Sequence, residues 1–256
     1  MQIVTLITDL GNTDYYLGAL KGSILKECGA IQLIDVATQI SSFDIRHGAY
    51  VLGKSFSFFP ENTIHFLHLN APESNGKMIL VRHQNHYIVG FDNGSIPLAL
   101  GEIPSETYLV QREKFSNKSS LFAESIVGII NAIKNQQPLE SIGTKTQQIR
   151  RLTRLKSFCS VGNIRGNILH IDKYGNGITN ISREEMQQFI GEKKFVIYLN
   201  TWEGTEILES YNDVAPGEVV CFFNAENYLE IAINKNKSTN LIGVKIDNPI
   251  LIESRS

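Results

Sequence analysis

The chain has 256 residues, 42% of them hydrophobic and 20% charged, with a formal net charge of −2. That length holds one large or two modest domains, and the balance supports a buried core rather than extended disorder. The slight acidity argues against nucleic acid or an anionic membrane as the main partner; the basic cluster "IRRLTRLK" (149–156) reads as a solvated stretch between elements.

Cys28, Cys159 and Cys221 are odd in number, widely spaced and form no CxxC, which suits a reducing cytoplasm and offers neither a disulfide framework nor a zinc site. The opening "MQIVTLITDLG" lacks a basic leader and meets Asp9 too early for a signal peptide. No apolar run approaches the ~18 residues that cross a bilayer. The expectation is a cytoplasmic protein with no membrane partner.

In chain order, "QIVTLIT" (2–8) is a β-branched run with little alternation, as in a strand buried on both faces. "DLGNTD" (9–14) is turn chemistry, with Asp14 placed as an N-cap. The next segment predicts a helix with Tyr16, Leu17, Leu20, Ile24 and Leu25 on its apolar stripe and Gly29 closing it. A strand at 31–37, a helix at 44–59 stopped by Pro60, and a strand at 63–69 follow. The β-α-β-α-β order predicts a mostly parallel sheet flanked by helices. Residues 78–94 read as a hairpin closing at Gln84-Asn85, and 120–135 as a helix with the stripe Phe122, Ile126, Ile129, Ile130 and Ile133.

Past residue 150 the pattern changes to Gly- and Asn-punctuated short runs. Strands are predicted within 193–202, 218–224, 228–234 and 241–246, as in a small antiparallel barrel or sandwich. The expected organisation is an α/β domain over 1–150, a linker over 151–157 and a barrel-like domain over 158–256.

Common nucleotide, hydrolase and zinc motifs (GxGxxG, GxxxxGK[ST], GxSxG, HExxH) are missing. His65 and His68, three apart on a strand, point to opposite faces and cannot share a metal; His83 and His86 read as exposed hairpin residues. No metal is expected. Asp9 falls just past the first strand, where open α/β sheets bind ligands. It is either a turn-stabilising residue or a carboxylate that accepts both hydroxyls of a ribose diol. In "IDKYGNGITNI" (171–181), Asp172 is suited to an ammonium group and Asn176 to an adenine edge; taken alone, that stretch and "FDNG" (91–94) are plain turns.

Together, "ITDLGNTDYYLGALKG", "IDVATQISSFDIRHGAYVL", "GFDNG", "IDKYGNGITNI" and "NYLEIAINKNKSTNLIG" occur in an order that resembles the S-adenosylmethionine hydrolase (hydroxide adenosyltransferase) family, whose halogenating cousins are fluorinase and chlorinase. The resemblance spans nearly the whole chain. It implies an α/β domain followed by a β-barrel-like domain, and a homotrimer whose ligand lies between the first domain of one subunit and the second of the next. It implies nucleophilic displacement at the C5′ carbon of the sulfonium, with S-adenosylmethionine as substrate or ligand and no further cofactor. Asp9 matches the ribose-diol aspartate, Asp172 the residue holding the methionine ammonium, and Asn176 the adenine-side asparagine. Asn224, Tyr228 and Glu230 fall in the adenine-contacting segment, where the family usually shows a different pattern.

The water-handling set departs from the family. Asn70 stands where a "DPGVG"-like loop carries its aspartate, and Lys77 stands at the arginine seven residues on. "KFSNKSSLFA" (114–123) replaces an "FHGRD"-like turn, leaving Ser116 or Asn117 at the histidine. An asparagine cannot act as a general base at neutral pH, and a lysine keeps the charge but not the planar fork. Phe115-Ser116 is similar to the halide pocket of the fluorinase. Four readings stay open: hydrolysis to adenosine and methionine, displacement by another nucleophile such as halide, a catalytically impaired adenosyl-binding protein, and a structural trimer in which the retained motifs only support folding.

Overall fold

The computed structural model describes residues 1–71, 76–111 and 122–255. The chain divides into two compact units, Met1–Arg154 and Leu155–Ser256.

The first unit is built on strands β1 (Gln2–Thr8), β2 (Ile31–Ala37), β3 (Ile64–His68), β4 (Met78–His83), β5 (His86–Phe91), β6 (Glu106–Val110) and β7 (Gly143–Lys145). Among the described residues they form one sheet in the order β2-β1-β3-β5-β4-β6-β7. Its helices are α1 (Tyr16–Cys28), α2 (Ile45–Ser55), α3 (Ser95–Leu100), α4 (Phe122–Lys134) and the short α5 (Leu139–Ile142). Side chains alternate across a strand, so Val4 and Leu6 pack with α1 and α4 on one face while Ile7 packs with α2 and α3 on the other. The result is a three-layer α/β unit with both sheet faces covered.

The mostly parallel sheet expected from the β-α-β-α-β order is not what forms. The sheet is mixed: β1 pairs in parallel with β2 and β3, and β3 with β5, whereas β4 pairs antiparallel with β5 and β6, and β6 with β7. The cause is local. Gln84 and Asn85 both take positive φ, +46° and +61°, the requirement of a type I′ turn, and this turn reverses the chain between β4 and β5. Strands β6 and β7 then extend the antiparallel half.

Three smaller expectations are also corrected. The N-cap of α1 is Tyr15 rather than Asp14, and no side chain caps that end. On α1, Leu17, Leu20 and Ile24 are buried, but Tyr16 and Leu25 are about half exposed and lie off the stripe. The hairpin histidines are not simply exposed: they pair across β4 and β5, and His86 is buried against Phe56.

The second unit is all-β apart from short helices. Its strands are β8 (Phe158–Ser160), β9 (Asn163–Ile171), β10 (Gly177–Ser182), β11 (Phe195–Leu199), β12 (Trp202–Gly204), β13 (Val219–Phe223), β14 (Tyr228–Ile233) and β15 (Pro249–Ser254). The sheet runs β12-β11-β15-β9-β10-β14-β13, with β8 added to β9. It is nearly closed into a barrel: past β12, the Leu208 N–H donates to the Cys221 carbonyl at 2.8 Å and Leu208 bridges Phe222 of β13. The core inside includes Ile164, Ile168, Ile181, Leu229, Ile231 and Ile252. The strand expected at 241–246 does not form. Helices α6 (Arg183–Phe189) and α7 (Ser238–Leu241) punctuate the unit, and the strand comes later, as β15. At 242–243 the Asn200 side chain donates to the carbonyls of Ile242 and Gly243, and Gly243 turns the chain with φ +63°. A side chain thus serves backbone groups that a ladder would otherwise pair.

Candidate functional site

Two polar half-sites stand out, one on each unit. The first lies along the carboxyl edge of the first sheet. Strands β1, β3 and β5 are adjacent and parallel, so the residues just past them, Asp9, Asn70 and Asp92, line one edge. Strand β4 runs the other way, so its leading residue Lys77 joins the same edge, its carbonyl accepting from the Asp92 N–H at 2.8 Å. Open sheets bind ligands at this kind of edge because strand ends and loops leave polar groups unladdered there.

Asp9 is the hub. Its Oδ2 accepts from the backbone N–H of Asn70 at 2.9 Å and of Phe43 at 3.0 Å. One carboxylate oxygen thereby ties the exit of β3 to the loop that enters α2. That helix is itself capped by Asp44, whose Oδ1 accepts from the His47 N–H at 2.9 Å. His68 Nδ1 lies 3.9 Å from Asp9 Oδ1. Burial alone would raise the Asp9 pKa, but His68 and the Asn70 and Phe43 N–H groups outweigh it and hold the carboxyl below the ordinary aspartate range. Asp9 is therefore an anion at neutral pH, with Oδ1 less committed than Oδ2.

Asn70 takes φ +47° and Phe43 φ +69°. Left-handed backbone is tolerable for asparagine and uncommon for phenylalanine, and both residues are the donors to Asp9. Behind them, Asn93 donates from Nδ2 to the Leu69 carbonyl at 2.8 Å and accepts the Ser95 N–H on Oδ1 at 3.0 Å. This buried amide fixes the last residue before Asn70 while it starts α3. Asp92 accepts the Arg150 N–H at 2.7 Å, and the Arg154 guanidinium donates to the carbonyls of Leu98 and Ala99. The basic cluster is thus partly laid onto the first unit rather than solvated throughout.

The second half-site surrounds the turn between β9 and β10. Asp172 Oδ1 accepts from the N–H groups of Tyr174 and Asn176, both at 2.9 Å, and its Oδ2 accepts from Asn176 Nδ2 at 3.0 Å. Gly175 closes the turn with φ +86°. Asn176 Nδ2 also donates to the Tyr211 hydroxyl at 3.2 Å, and that hydroxyl donates to Glu230 Oε1 at 2.5 Å. Glu230 Oε2 accepts from Asn224 Nδ2 at 3.3 Å. Asn224 Oδ1 accepts from the backbone N–H groups of Glu226 and Tyr228, each at 3.1 Å. Burial pushes the Glu230 carboxyl up, against the pull of the Tyr211 and Asn224 bonds. Burial and the Glu230 carboxylate push the Tyr211 hydroxyl well above its usual range, so it stays a neutral donor.

Of the residues singled out in the sequence, Asp9, Asn70 and Lys77 share the first edge, while Asp172, Asn176, Asn224 and Glu230 share the second network. Tyr228 enters that network through its backbone. Ser116 and Asn117 lie outside the described residues. Sequence reasoning missed Phe43, His68, Asn93 and Tyr211. For Tyr211 the only local signal was "SYND" (210–213), whose Ser210–Asp213 capping box sets the turn that carries it. Among the described residues, no group of three His, Cys, Asp or Glu side chains could hold a metal, and no helix is long and apolar enough to cross a membrane.

An α/β unit with a carboxylate hub at its sheet edge, followed by a barrel-like unit with a carboxylate–amide turn, defines a two-domain protein in which each unit carries its own cluster of polar acceptors. Residues 4–143 match the SAM hydroxide adenosyltransferase N-terminal domain and residues 166–251 the corresponding C-terminal domain, and the chain belongs to that family. It is 24% identical to the (R)-S-adenosyl-L-methionine hydrolase of Methanocaldococcus jannaschii, over 95% of this chain and 93% of that one. It is 25% identical to a fluorinase from an Actinoplanes species, over 91% of each. The crystal structure of an uncharacterized conserved protein from Thermotoga maritima superposes with a TM-score of 0.85 at 21% identity, covering 98% of this chain and 99% of that one, which supports the fold.

Proposed function

We propose that the protein binds S-adenosylmethionine and catalyses displacement at C5′ of the adenosyl group by water, giving adenosine and methionine. The observation that carries this is Asp9: an ionised carboxylate at the carboxyl edge of the sheet, tethered through Oδ2 to two backbone N–H groups, with the acceptor chemistry that the hydroxyl donors of a ribose need. In this reading Asp172 holds the methionine ammonium. Asn176, with Asn224, Tyr228 and Glu230 around it, serves the adenine. Asn70 and Lys77 face C5′; Ser116 or Asn117 stands at the family's histidine by the resemblance alone.

The water oxygen forms the new bond to C5′ while the C5′–S bond breaks with its pair returning to sulfur. Methionine leaves as a neutral thioether, so departure needs no acid, and the proton of the attacking water is lost to solvent. The site's contribution is alignment rather than proton abstraction, because Asn70 cannot take up that proton. Membership of a family whose relatives are named hydrolase and fluorinase supports chemistry at C5′. The neutral Asn70 supports a second reading, in which the ligand is held without turnover or is attacked by an anion that a carboxylate would repel. A homotrimer with shared sites is part of the proposal, supported by the placement of each half-site on its own unit; sedimentation equilibrium reads it as three chain masses.

The full chain is incubated with both sulfonium epimers of S-adenosylmethionine, with and without halide, and the products are separated by chromatography. Equal amounts of adenosine and methionine support hydrolysis, and a 5′-halogenated nucleoside supports the anion. Calorimetric binding without product supports the binding protein, and failure to bind any adenosyl compound sinks every version. The paired change Asn70→Asp with Lys77→Arg is expected to raise hydrolysis; unchanged activity would refute the roles given to 70 and 77.

A further inference from the structure

The network around Asn176 has a polarity that its surroundings dictate. The backbone N–H groups of Glu226 and Tyr228 both point at Asn224 Oδ1, so Asn224 must turn its amide protons the other way, onto Glu230. The second oxygen of Glu230 accepts from Tyr211, which commits the only proton of that hydroxyl. The Tyr211 oxygen can then only accept from Asn176, and the Asp172 carboxylate on the other side of Asn176 can only accept as well. Both neighbours demand donors, so Asn176 spends both amide protons inside the unit. This fixes its orientation by hydrogen-bond logic. Oδ1 is the polar atom of the Asn176 amide left over.

We propose that Tyr211, Glu230 and Asn224 are positioning residues that lock Asn176 as an acceptor, so that this half-site selects a ligand bearing an amino donor, a 6-aminopurine over a 6-oxopurine. The inference rests on the reading that Asn176 faces the adenine, and it adds the sign of that contact and the residues that set it. An amide free to rotate can offer either end and discriminates poorly; a locked one leaves Oδ1 against the 6-oxo group, acceptor on acceptor. Losing that hydrogen bond and burying two unpaired acceptors corresponds to about a tenfold or larger loss of affinity.

The experiment is calorimetric titration of the full chain with adenosine and with inosine, for the wild type, Glu230→Gln and Tyr211→Phe. The Glu230→Gln change keeps the shape of the side chain, but the new amide can donate to the Tyr211 oxygen, which releases the tyrosine proton toward Asn176 and weakens the lock. The Tyr211→Phe change removes the link outright. The wild type is expected to favour adenosine by about tenfold or more, and both variants to move that ratio toward one, with inosine binding gained as well as adenosine binding lost. A variant that weakens both nucleosides equally, or leaves the ratio unchanged, overturns the inference while leaving the adenosyl reading intact. Circular dichroism confirms folding of each variant, and either folded variant suffices for the decision. Wild-type protein that binds neither nucleoside overturns the adenosyl reading and this inference with it.

Discussion

Acidifying the solution is expected to destabilise the first unit through His65. His65 is fully buried in β3. Its Nδ1 bonds the Thr5 hydroxyl at 2.8 Å, its Nε2 bonds His86 Nδ1 at 3.2 Å, and Phe56 and Phe59 stand edge-on to the ring. Burial, and secondarily the proximity of His86, lowers its pKa from 6.5 to about 3. The folded state therefore refuses a proton that the unfolded chain accepts. A histidine depressed in this way leaves stability intact above its unfolded pKa, and stability falls as the pH drops from that value toward the folded one. Below 6.5 the slope is about 1.4 kcal/mol per pH unit, so going from about pH 7.5 to about pH 5 removes roughly 2 kcal/mol. For a unit of this size that is a fall in Tm of about 4–8 °C. Carboxylates titrate nearby, so the measurement is a comparison: thermal melts of the wild type and His65→Gln across this range. The substituted amide can bond Thr5 and His86 without a titrating proton. The variant should start lower, and the gap between the two proteins should shrink by about that amount as the pH falls. Parallel curves would refute a buried, proton-refusing His65.

The close approach of α2 to α3 is sensitive to a single methyl. A Cβ on Gly53 would sit 2.6 Å from the Ala99 carbonyl oxygen, so Gly53→Ala should cost about 1–3 kcal/mol in denaturant titration despite the better helix propensity of alanine. At the first half-site, Asp9→Ala removes the acceptor of two backbone N–H groups, while Asp9→Asn keeps an oxygen for them and loses only the charge. The alanine variant should lose about 1–2 kcal/mol more stability than the asparagine one, and both should lose adenosine affinity by calorimetry. Equal stability of the two variants would show that the tether contributes nothing.

Periodicity made the central strands and long helices readable, because each is written in contiguous residues. Ile126, Ile129, Ile130 and Ile133 repeat at helical spacing and are all buried on α4. The type I′ turn was readable only as a position, from Gln84-Asn85. Its consequence, an antiparallel half of the sheet, depends on where β6 and β7 dock. Helix α3, six residues long, is too short to show a period. The stretch 241–246 had the apolar content of a strand, and a distant amide, Asn200, took its carbonyls. In the candidate site the split is similar. Asp9 and Asp172 are visible because each sits in turn chemistry at a strand end. Tyr211 is not, because its partners Asn176 and Glu230 are 35 and 19 residues away and meet it only once the barrel strands are in register. Asn93 looked like ordinary turn material since its carbonyl partner, Leu69, is 24 residues back.

Asp9 holds residue 70 by its backbone N–H and leaves the side chain out of the contact. Position 70 is therefore a socket. Its place at the sheet edge is set by a neighbour, and the group it displays can be exchanged without rebuilding the loop, provided the residue tolerates a left-handed φ of +47°. Asparagine and aspartate both satisfy that condition; a β-branched residue does not. A lineage can in this way change what a strand end presents while keeping the backbone that carries it, so divergence at this position need not leave a trace in the fold.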